Sequence, residues 1–233
     1  MARRLVAIHQ PNFLPWLGYF DKIARSDVFV LLDDVQFSKG SYTNRTKILI
    51  NGEPRWLTVP VDRSGGSTQL ISDVRIGDGD RWREKAPETV RHAYSRADHF
   101  DECFAVVEPL LRGPEDRLAE YNERAIRELA SRLVPGAEFV RASTLDVGGK
   151  GTDLLVEIVR AVSGDAYLAG SGAGGYQEDE KFERAGVELM RQEFTHPDYP
   201  QAADEPVHGL SAIDALMSCG FERTAALVAG GDD

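Results

Sequence analysis

His9 heads a polar loop, His9-Gln10-Pro11-Asn12, that follows the apolar run Leu5 to Ile8. A histidine in this position can act as a general base, or its imidazole can donate a hydrogen bond to a developing oxyanion or phosphate. The competing interpretation is a histidine that hydrogen-bonds its own loop and nothing else. Gln10 and Asn12 are candidate substrate-binding residues of the same loop.

Two adjacent acids, Asp33 and Asp34, follow a second apolar run, Val28 to Leu32. Such carboxylates can hold Mg²⁺ or orient a substrate amine. Because neighbouring residues on a strand point to opposite faces, we expect one of the two in a cleft while the other caps the loop. Gln36 lies in the same loop and is a further candidate for binding substrate.

Residues 35–52 contain no acid but three cations, Lys39, Arg45 and Lys47, although the 233-residue chain has a formal net charge of -11. A local positive segment can receive a phosphate or a carboxylate. Asn44 lies among the cations and could hydrogen-bond the same ligand. The alternative is a hairpin with solvated basic side chains.

A third polar loop carries three glycines within residues 171–176, so its backbone N–H groups could approach a ligand closely. Its candidate binding residues are Ser171, Gly172 and Tyr176, although the loop matches neither the dinucleotide fingerprint nor the P-loop. A later connection bounded by prolines adds His196 and Gln201, which could wall the same cleft. A plain surface connector is an equal alternative for that segment.

No zinc site is expected, and no residue is assigned as a metal ligand. Cys103 and Cys219 have no zinc spacing and predict no disulfide framework, which fits a reducing cytoplasm. We interpret Cys219 as a buried small residue rather than a nucleophile. His92, His99 and His208 form no ligand spacing either.

The amino-acid composition argues against some classes of binding partner. With 27 basic against 38 acidic residues, the protein is not expected to bind nucleic acid. No apolar run approaches the roughly 18–20 residues that cross a bilayer, and no secretory signal is recognisable at the start. We therefore expect no membrane insertion and a cytoplasmic location. The hydrophobic share of 42% suffices for one sizeable core.

Strands and helices must position the polar loops. A helix predicted over Pro15 to Arg25 separates the first two apolar runs and gives the strand–helix–strand unit of a parallel sheet. Asn51-Gly52, between Arg45 to Ile50 and Arg55 to Val61, predicts a β-hairpin. Leu70 to Ile76 is predicted as one more strand. Ligands of open α/β sheets bind outside the carboxyl ends of strands, where the three polar loops are expected.

The second half of the chain contains a helical part and then a return to alternation. Residues 81–134 predict about three helices, as an insertion or subdomain. Strands and helices alternate again from residue 137, with a strand over Val187 to Phe194 and closing helices over Leu210 to Met217 and Glu222 to Val228. We predict a single α/β domain over residues 1–233, with a mostly parallel, Rossmann-like sheet, a hairpin extension and the helical insertion. This topology should place His9, Asp34 and Ser171 around one pocket.

Several motifs resemble those of the WbqC-like protein family, and the resemblance covers nearly the whole chain. They are His9 to Lys22, Asp33 to Phe37, Asn44 to Lys47, Trp56 to Val61, Tyr167 to Gly170, His196 to Gln201 and Leu210 to Asp214. The resemblance implies a role in bacterial surface-polysaccharide (O-antigen) or specialised-metabolite biosynthesis. It implies transfer of an aminoacyl group, such as glycyl, or of an acyl group to an amine of a sugar or small metabolite. A nucleotide sugar, an aminoacyl donor or a carrier protein would then be the partner.

In this leading hypothesis His9 is the base or stabilises the oxyanion, Asp34 orients the amine, and the three cations hold a phosphate. A weaker resemblance, to nucleotidylyltransferase-like domains, rests on the order of the first elements and lacks their paired histidines. It implies an ATP-dependent ligase or nucleotidyltransferase that forms an acyl-adenylate with a nucleotide and Mg²⁺. A non-catalytic binding or scaffold protein in a biosynthetic complex is the third alternative, since no obvious nucleophile is present.

Overall fold

The fold is taken from a computed structural model that describes residues 3–62, 64, 66, 68–170 and 178–230. The elements in chain order are β1 (Leu5–His9), α1 (Leu17–Ala24), β2 (Val28–Leu31), β3 (Arg45–Ile50), β4 (Glu53–Thr58), α2 (Gly79–Tyr94), α3 (Phe100–Leu111), α4 (Leu118–Leu133), β5 (Glu138–Arg141), α5 (Thr152–Ala161), β6 (Ala166–Ala169), α6 (Asp179–Ala185), β7 (Glu188–Arg191) and α7 (Ala212–Val228).

Five strands form one parallel sheet in the order β5-β2-β1-β6-β7. Parallel strands that are covered on both faces consist of consecutive apolar residues. The four residues of β2, Val28–Leu31, are apolar and all buried. A smaller antiparallel sheet consists of β3 and β4. The α/β class, the mostly parallel sheet and the hairpin extension are therefore confirmed.

Helices cover both faces of the sheet. One face packs against α1, α4 and α7 through a core that includes Ala7, Phe29 and Leu168. The other face, with Val6 and Ile8, packs against α5 and α6. Counted along the chain, the sheet strands lie in the order third, second, first, fourth, fifth, which is the doubly wound arrangement. The direction of winding reverses between β1 and β6.

The hairpin turn follows directly from its sequence. Asn51 and Gly52 both have positive φ angles, 54° and 77°, as a two-residue type I′ turn requires. The pairing of Ile50 with Glu53 means that β4 begins at Glu53 rather than at Arg55. The predicted second arm was therefore placed too late in the chain.

Two predicted elements differ from the structure. Leu70 to Ile76 is not a strand, because Ile71–Asp73 form a 3₁₀ turn and only single bridges flank it. The last strand is limited to Glu188–Arg191. The two predicted closing helices are present, because α7 consists of two helical segments that meet at a kink at Gly220, where φ is 74°.

Helices α2, α3 and α4 occupy Gly79–Leu133 and share the core of the first sheet face, with Val90, Phe104 and Ile126 fully or nearly fully buried. Within the part of the chain that the structure describes, no helix has the length and apolar character that a membrane span would need.

Candidate functional site

The winding of the sheet reverses between β1 and β6, and we place the candidate site at the carboxyl ends of these two strands. The pairing of these two strands ends at Ala7 with Leu168. On the outer sides, pairing continues to His9 with Leu31 and to Ala169 with Arg191. Central strands that separate where the winding reverses form the place at which open α/β sheets bind ligands. We call this place the β1–β6 crevice.

Lys22 of α1 extends its ammonium group into the β1–β6 crevice. Its Nζ donates a 2.8 Å hydrogen bond to the carbonyl of Ile8 and lies 5.9 Å from the Tyr167 ring centroid. The side chain is 2% exposed, and no carboxylate among the described residues pairs with it. Burial lowers the pKa of Lys22 to about 7. A buried amine without a counter-ion is a site that favours an incoming anion.

His9 lies beside Lys22 in a fixed orientation. Its ring meets Tyr19 and Trp16 edge-on, with centroid distances of 4.9 and 5.8 Å. Nδ1 is 3.1 Å from the carbonyl oxygen of Gln10, which can only accept, so Nδ1 carries the proton and Nε2 keeps a lone pair. Burial, followed by the charge of Lys22, lowers the pKa of His9 to about 3, although the Gln10 bond opposes the shift. His9 is therefore a neutral imidazole at physiological pH.

A buried hydrogen-bond network anchors α1 to the end of the sheet. Gln192, which follows β7, donates through Nε2 to the Gly18 carbonyl at 2.7 Å and to the Asp21 carboxylate at 2.6 Å. Its backbone N–H donates to the Ala169 carbonyl at 2.8 Å. This network fixes the helix that carries Lys22 relative to the ends of β6 and β7.

Asp33 has a structural role, because its carboxylate is fully hydrogen-bonded within the protein. Its carboxylate accepts hydrogen bonds from Arg141 Nε at 3.0 Å, from the Ser143 N–H at 2.9 Å and from the Ser143 hydroxyl at 2.8 Å. With 1% exposure, Asp33 joins the end of β2 to the end of β5. Of the two predicted acids, it is the one that holds the loop rather than the one that faces a ligand.

We expect Asp33→Ala to lower the free energy of unfolding by about 1–3 kcal/mol, because it removes the buried carboxylate that accepts hydrogen bonds from Arg141 and Ser143. Urea denaturation measures the loss, with the exposed Asp204→Ala as a matched control. Equal stability of the two variants would show that the bonds to Asp33 contribute nothing.

Asp34 is the acid that remains available. Its Oδ1 is buried and has no hydrogen-bond partner. Burial raises the pKa of Asp34; a bond from its own backbone N–H opposes this rise, and the charge of Asp33 adds to it. It follows β2, the strand next to β1, so it lies at the same edge of the sheet as His9.

Three amides predicted to bind substrate are buried or engaged within the loops. Gln10 Oε1 accepts from the Thr43 hydroxyl at 3.2 Å, and Asn12 is 3% exposed. Asn44 accepts from the Gly40 N–H at 3.1 Å and donates to the Val59 carbonyl at 3.2 Å. Asn44 therefore closes its own loop, and Gly40, with a φ of 73°, provides the turn.

The basic segment forms a surface with exposed aromatic rings. The Arg45 guanidinium lies 4.0 Å from the Trp56 ring centroid, and Lys47 Nζ lies 5.3 Å from it. Tyr42 meets Trp56 at 5.6 Å and Trp16 at 5.3 Å, so rings connect this surface to His9. Lys39 is exposed on the preceding loop.

The remaining predicted residues fall in three places. Ser171, Gly172 and Tyr176 lie outside the described residues, so the expected grouping of Ser171 with His9 and Asp34 stays a prediction. Gln36 is exposed and makes an isolated bridge to Leu70. His196 stacks on His208 at 5.2 Å and meets Phe194 edge-on at 5.1 Å. The Gln201 side-chain amide donates to the Val207 carbonyl and accepts from the Val207 N–H.

The acids after β2 do not form a chelating pair for Mg²⁺, because both carboxylate oxygens of Asp33 are occupied by Arg141 and Ser143. Within the described ranges, no group of three His, Cys, Asp or Glu residues is placed to hold a metal ion. Cys103 and Cys219 are free and buried, and burial raises the pKa of both thiols.

The doubly wound parallel sheet, with its candidate site in the crevice where the winding reverses, defines a Rossmann-like α/β protein. Residues 10–226 match the family model of the WbqC-like protein family, and the chain belongs to that family. It is 28% identical over 219 residues to the uncharacterized protein Rv1507c of Mycobacterium tuberculosis, which covers 93% of this chain and 94% of that protein. No solved structure matches the chain.

Proposed function

We propose that this protein transfers an aminoacyl group, such as glycyl, or an acyl group to an amine of a sugar or small metabolite, in surface-polysaccharide or specialised-metabolite biosynthesis. The observation that supports the proposal is the pair in the β1–β6 crevice. A neutral imidazole with a free Nε2 lies beside a buried amine that has no counter-ion among the described residues. Addition of an amine to a carbonyl requires one proton acceptor and one cation.

His9 would accept the proton. The substrate amine attacks the acyl carbonyl, its nitrogen gains positive charge and becomes acidic, and the proton passes to His9 Nε2. The charge of Lys22 is one of the two causes that keep the pKa of His9 low. An oxyanion forming beside Lys22 cancels part of that charge, so His9 becomes more basic as the intermediate forms. The same proton then moves to the leaving group as the carbonyl re-forms.

Lys22 would stabilise the oxyanion. The Ile8 carbonyl takes one of its three N–H donors. Because the side chain is almost fully buried, water screens its charge weakly, and a charge–charge interaction there is stronger than at the surface. Asp34, whose buried Oδ1 has no partner, would orient the incoming amine from the neighbouring strand end.

The test is a direct transfer assay on the full chain. Glycyl and acetyl thioesters serve as donors, and hydroxylamine, free amino sugars and nucleotide-linked amino sugars serve as acceptors. Mass spectrometry should detect the amide or hydroxamate with the active protein and not with heat-inactivated protein. Absence of product in every combination would contradict the proposal.

A second candidate, ATP-dependent formation of an acyl-adenylate, is favoured by one observation. The strand order of the sheet is that of nucleotide-binding α/β proteins, which is an analogy of fold. Release of pyrophosphate that depends on both ATP and an amino acid, without amide formation from thioesters, would select this reaction. Binding of small molecules with neither reaction would select a non-catalytic binding or scaffold protein.

A further inference from the structure

Four residues of the hairpin region form a surface that we call the hairpin platform: Tyr42, Arg45, Lys47 and Trp56. Tyr42 is 37% and Trp56 is 42% exposed, and they are two of the three large hydrophobic residues that the described chain leaves exposed. Large rings held at the surface beside cations are typical of ligand-binding sites rather than of solvated hairpins.

The cations of the hairpin platform are free for a ligand. Neither Arg45 nor Lys47 takes part in any of the 20 ion pairs of the described residues. Arg45 Nε is buried and has no hydrogen-bond partner. Its guanidinium is confined between the Trp56 ring and Gly40, since a Cβ at Gly40 would lie 3.6 Å from the guanidinium carbon. An arginine fixed in this way loses little side-chain entropy when it binds an oxyanion.

The hairpin platform is continuous with the β1–β6 crevice. Tyr42 contacts Trp16, and Trp16 contacts His9, with ring centroids 5.3 and 5.8 Å apart. The Phe13 N–H donates to the Tyr42 carbonyl at 2.9 Å, which ties the platform to the loop after β1. A ligand seated on the platform therefore has its far end directed along a wall of rings to His9.

We propose that the hairpin platform binds a nucleoside diphosphate, with the diphosphate on Arg45 and Lys47 and the base stacked against Tyr42 and Trp56. Each part of this ligand matches one chemistry of the platform: paired cations bind phosphate oxygens, and exposed rings stack a base. The inference names the class of substrate for the proposed transfer. It rests on that function only for the identity of the group attached to the nucleoside diphosphate. Binding itself is independent of the transfer reaction.

Isothermal titration calorimetry of the full chain tests the proposal with four classes of probe: nucleoside diphosphates (UDP and ADP), inorganic pyrophosphate, a nucleoside and a sugar 1-phosphate. One or both nucleoside diphosphates should bind at least tenfold more tightly than each of the other three. Pyrophosphate or sugar 1-phosphate binding as tightly as the nucleoside diphosphates would overturn the stacking of a base.

Arg45→Met should weaken nucleoside diphosphate binding by about tenfold to a hundredfold, since it removes a charged hydrogen-bond donor. The matched control is Arg55→Met, the same charge change next to Trp56 on β4, because adjacent strand residues point to opposite faces. Equal effects of the two variants would overturn the proposal. Trp56→Phe keeps a ring under Arg45 and should retain most of the affinity.

The two proposals fail separately. Nucleoside diphosphate binding that depends on Arg45, in a protein that forms no amide, supports the platform and contradicts the transfer. In the opposite outcome the protein forms the amide, but Arg45→Met binds nucleoside diphosphates as tightly as wild type does. That result supports the transfer and contradicts nucleoside diphosphate binding at the hairpin platform.

Discussion

Replacing Lys22 by methionine should abolish most of the proposed activity and at the same time stabilise the folded protein. Removing a donor to an oxyanion lowers kcat by about 10²–10³. Methionine has a similar length and fills the same buried space without a charge. Because burial lowers the pKa of Lys22 to about 7, holding this amine in the fold opposes folding at neutral pH. After the loss of the bond to Ile8 is counted, the free energy of unfolding should rise by about 1–3 kcal/mol.

The pH dependence of stability identifies the cause. Between the folded pKa of about 7 and the ordinary pKa of 10.5, the unfolded chain binds one more proton at Lys22 than the folded chain does. Stability conferred by this site therefore rises as the pH rises through that interval and is lowest below pH 7. Urea titrations at pH 7 and pH 9.5 should show this rise in wild type relative to Lys22→Met.

Lys181→Met is the matched control, because Lys181 is paired with Asp153 and Glu178 on the surface. It should leave activity unchanged and change stability little, because ion pairs at the surface contribute little. A Lys22→Met protein that is both active and less stable than wild type would show that Lys22 is a structural residue. Lys22→Arg keeps the charge and should retain more activity than Lys22→Met.

Much of the fold follows from local patterns in the sequence. The run Val28–Leu31 can be satisfied only by burial on both faces, and Asn51-Gly52 permits the positive φ angles of a tight hairpin. The segment Leu70 to Ile76 also contains apolar residues, yet their burial comes from neighbours distant in sequence. Its 3₁₀ turn therefore could not be predicted from the spacing of its apolar residues alone. Gly220 indicated a break in the last helix, and the structure retains it as a kink.

The site was less accessible to sequence reasoning than the fold. His9 and the acids after β2 were recognisable because they directly follow apolar strands. Lys22 was not, because a lysine in the last turn of a helix is ordinarily a solvated group that favours the helix dipole. The available signal was its place in a helix whose residues 17–23 are all buried. The exposure of Trp56 likewise depends on how the hairpin sits on the domain.

His9→Phe should lower the rate of the proposed transfer by about 10²–10⁴, the usual contribution of a positioned base, while the fold stays intact. Phenylalanine preserves the edge contacts with Trp16 and Tyr19. The Gln10 carbonyl keeps a partner, because the Tyr19 hydroxyl also donates to it at 3.0 Å. A loss of activity in this variant can then be assigned to the missing nitrogens.

A second measurement on His9→Phe is independent of any substrate. The folded pKa of about 3 lies below the ordinary 6.5, so between these values the unfolded chain binds one more proton than the folded chain. Wild type should therefore lose about 3–5 kcal/mol of stability through this site as the pH falls from 6.5 to 3, and His9→Phe should not. Urea titrations of both proteins at pH 7, 5.5 and 4 measure the difference between their free energies of unfolding. Because both proteins contain the same carboxylates, the contribution of carboxylate titration cancels in this difference. Parallel acid profiles would mean that His9 has the same pKa in the folded and unfolded chains, and the lowered pKa of His9 would be wrong.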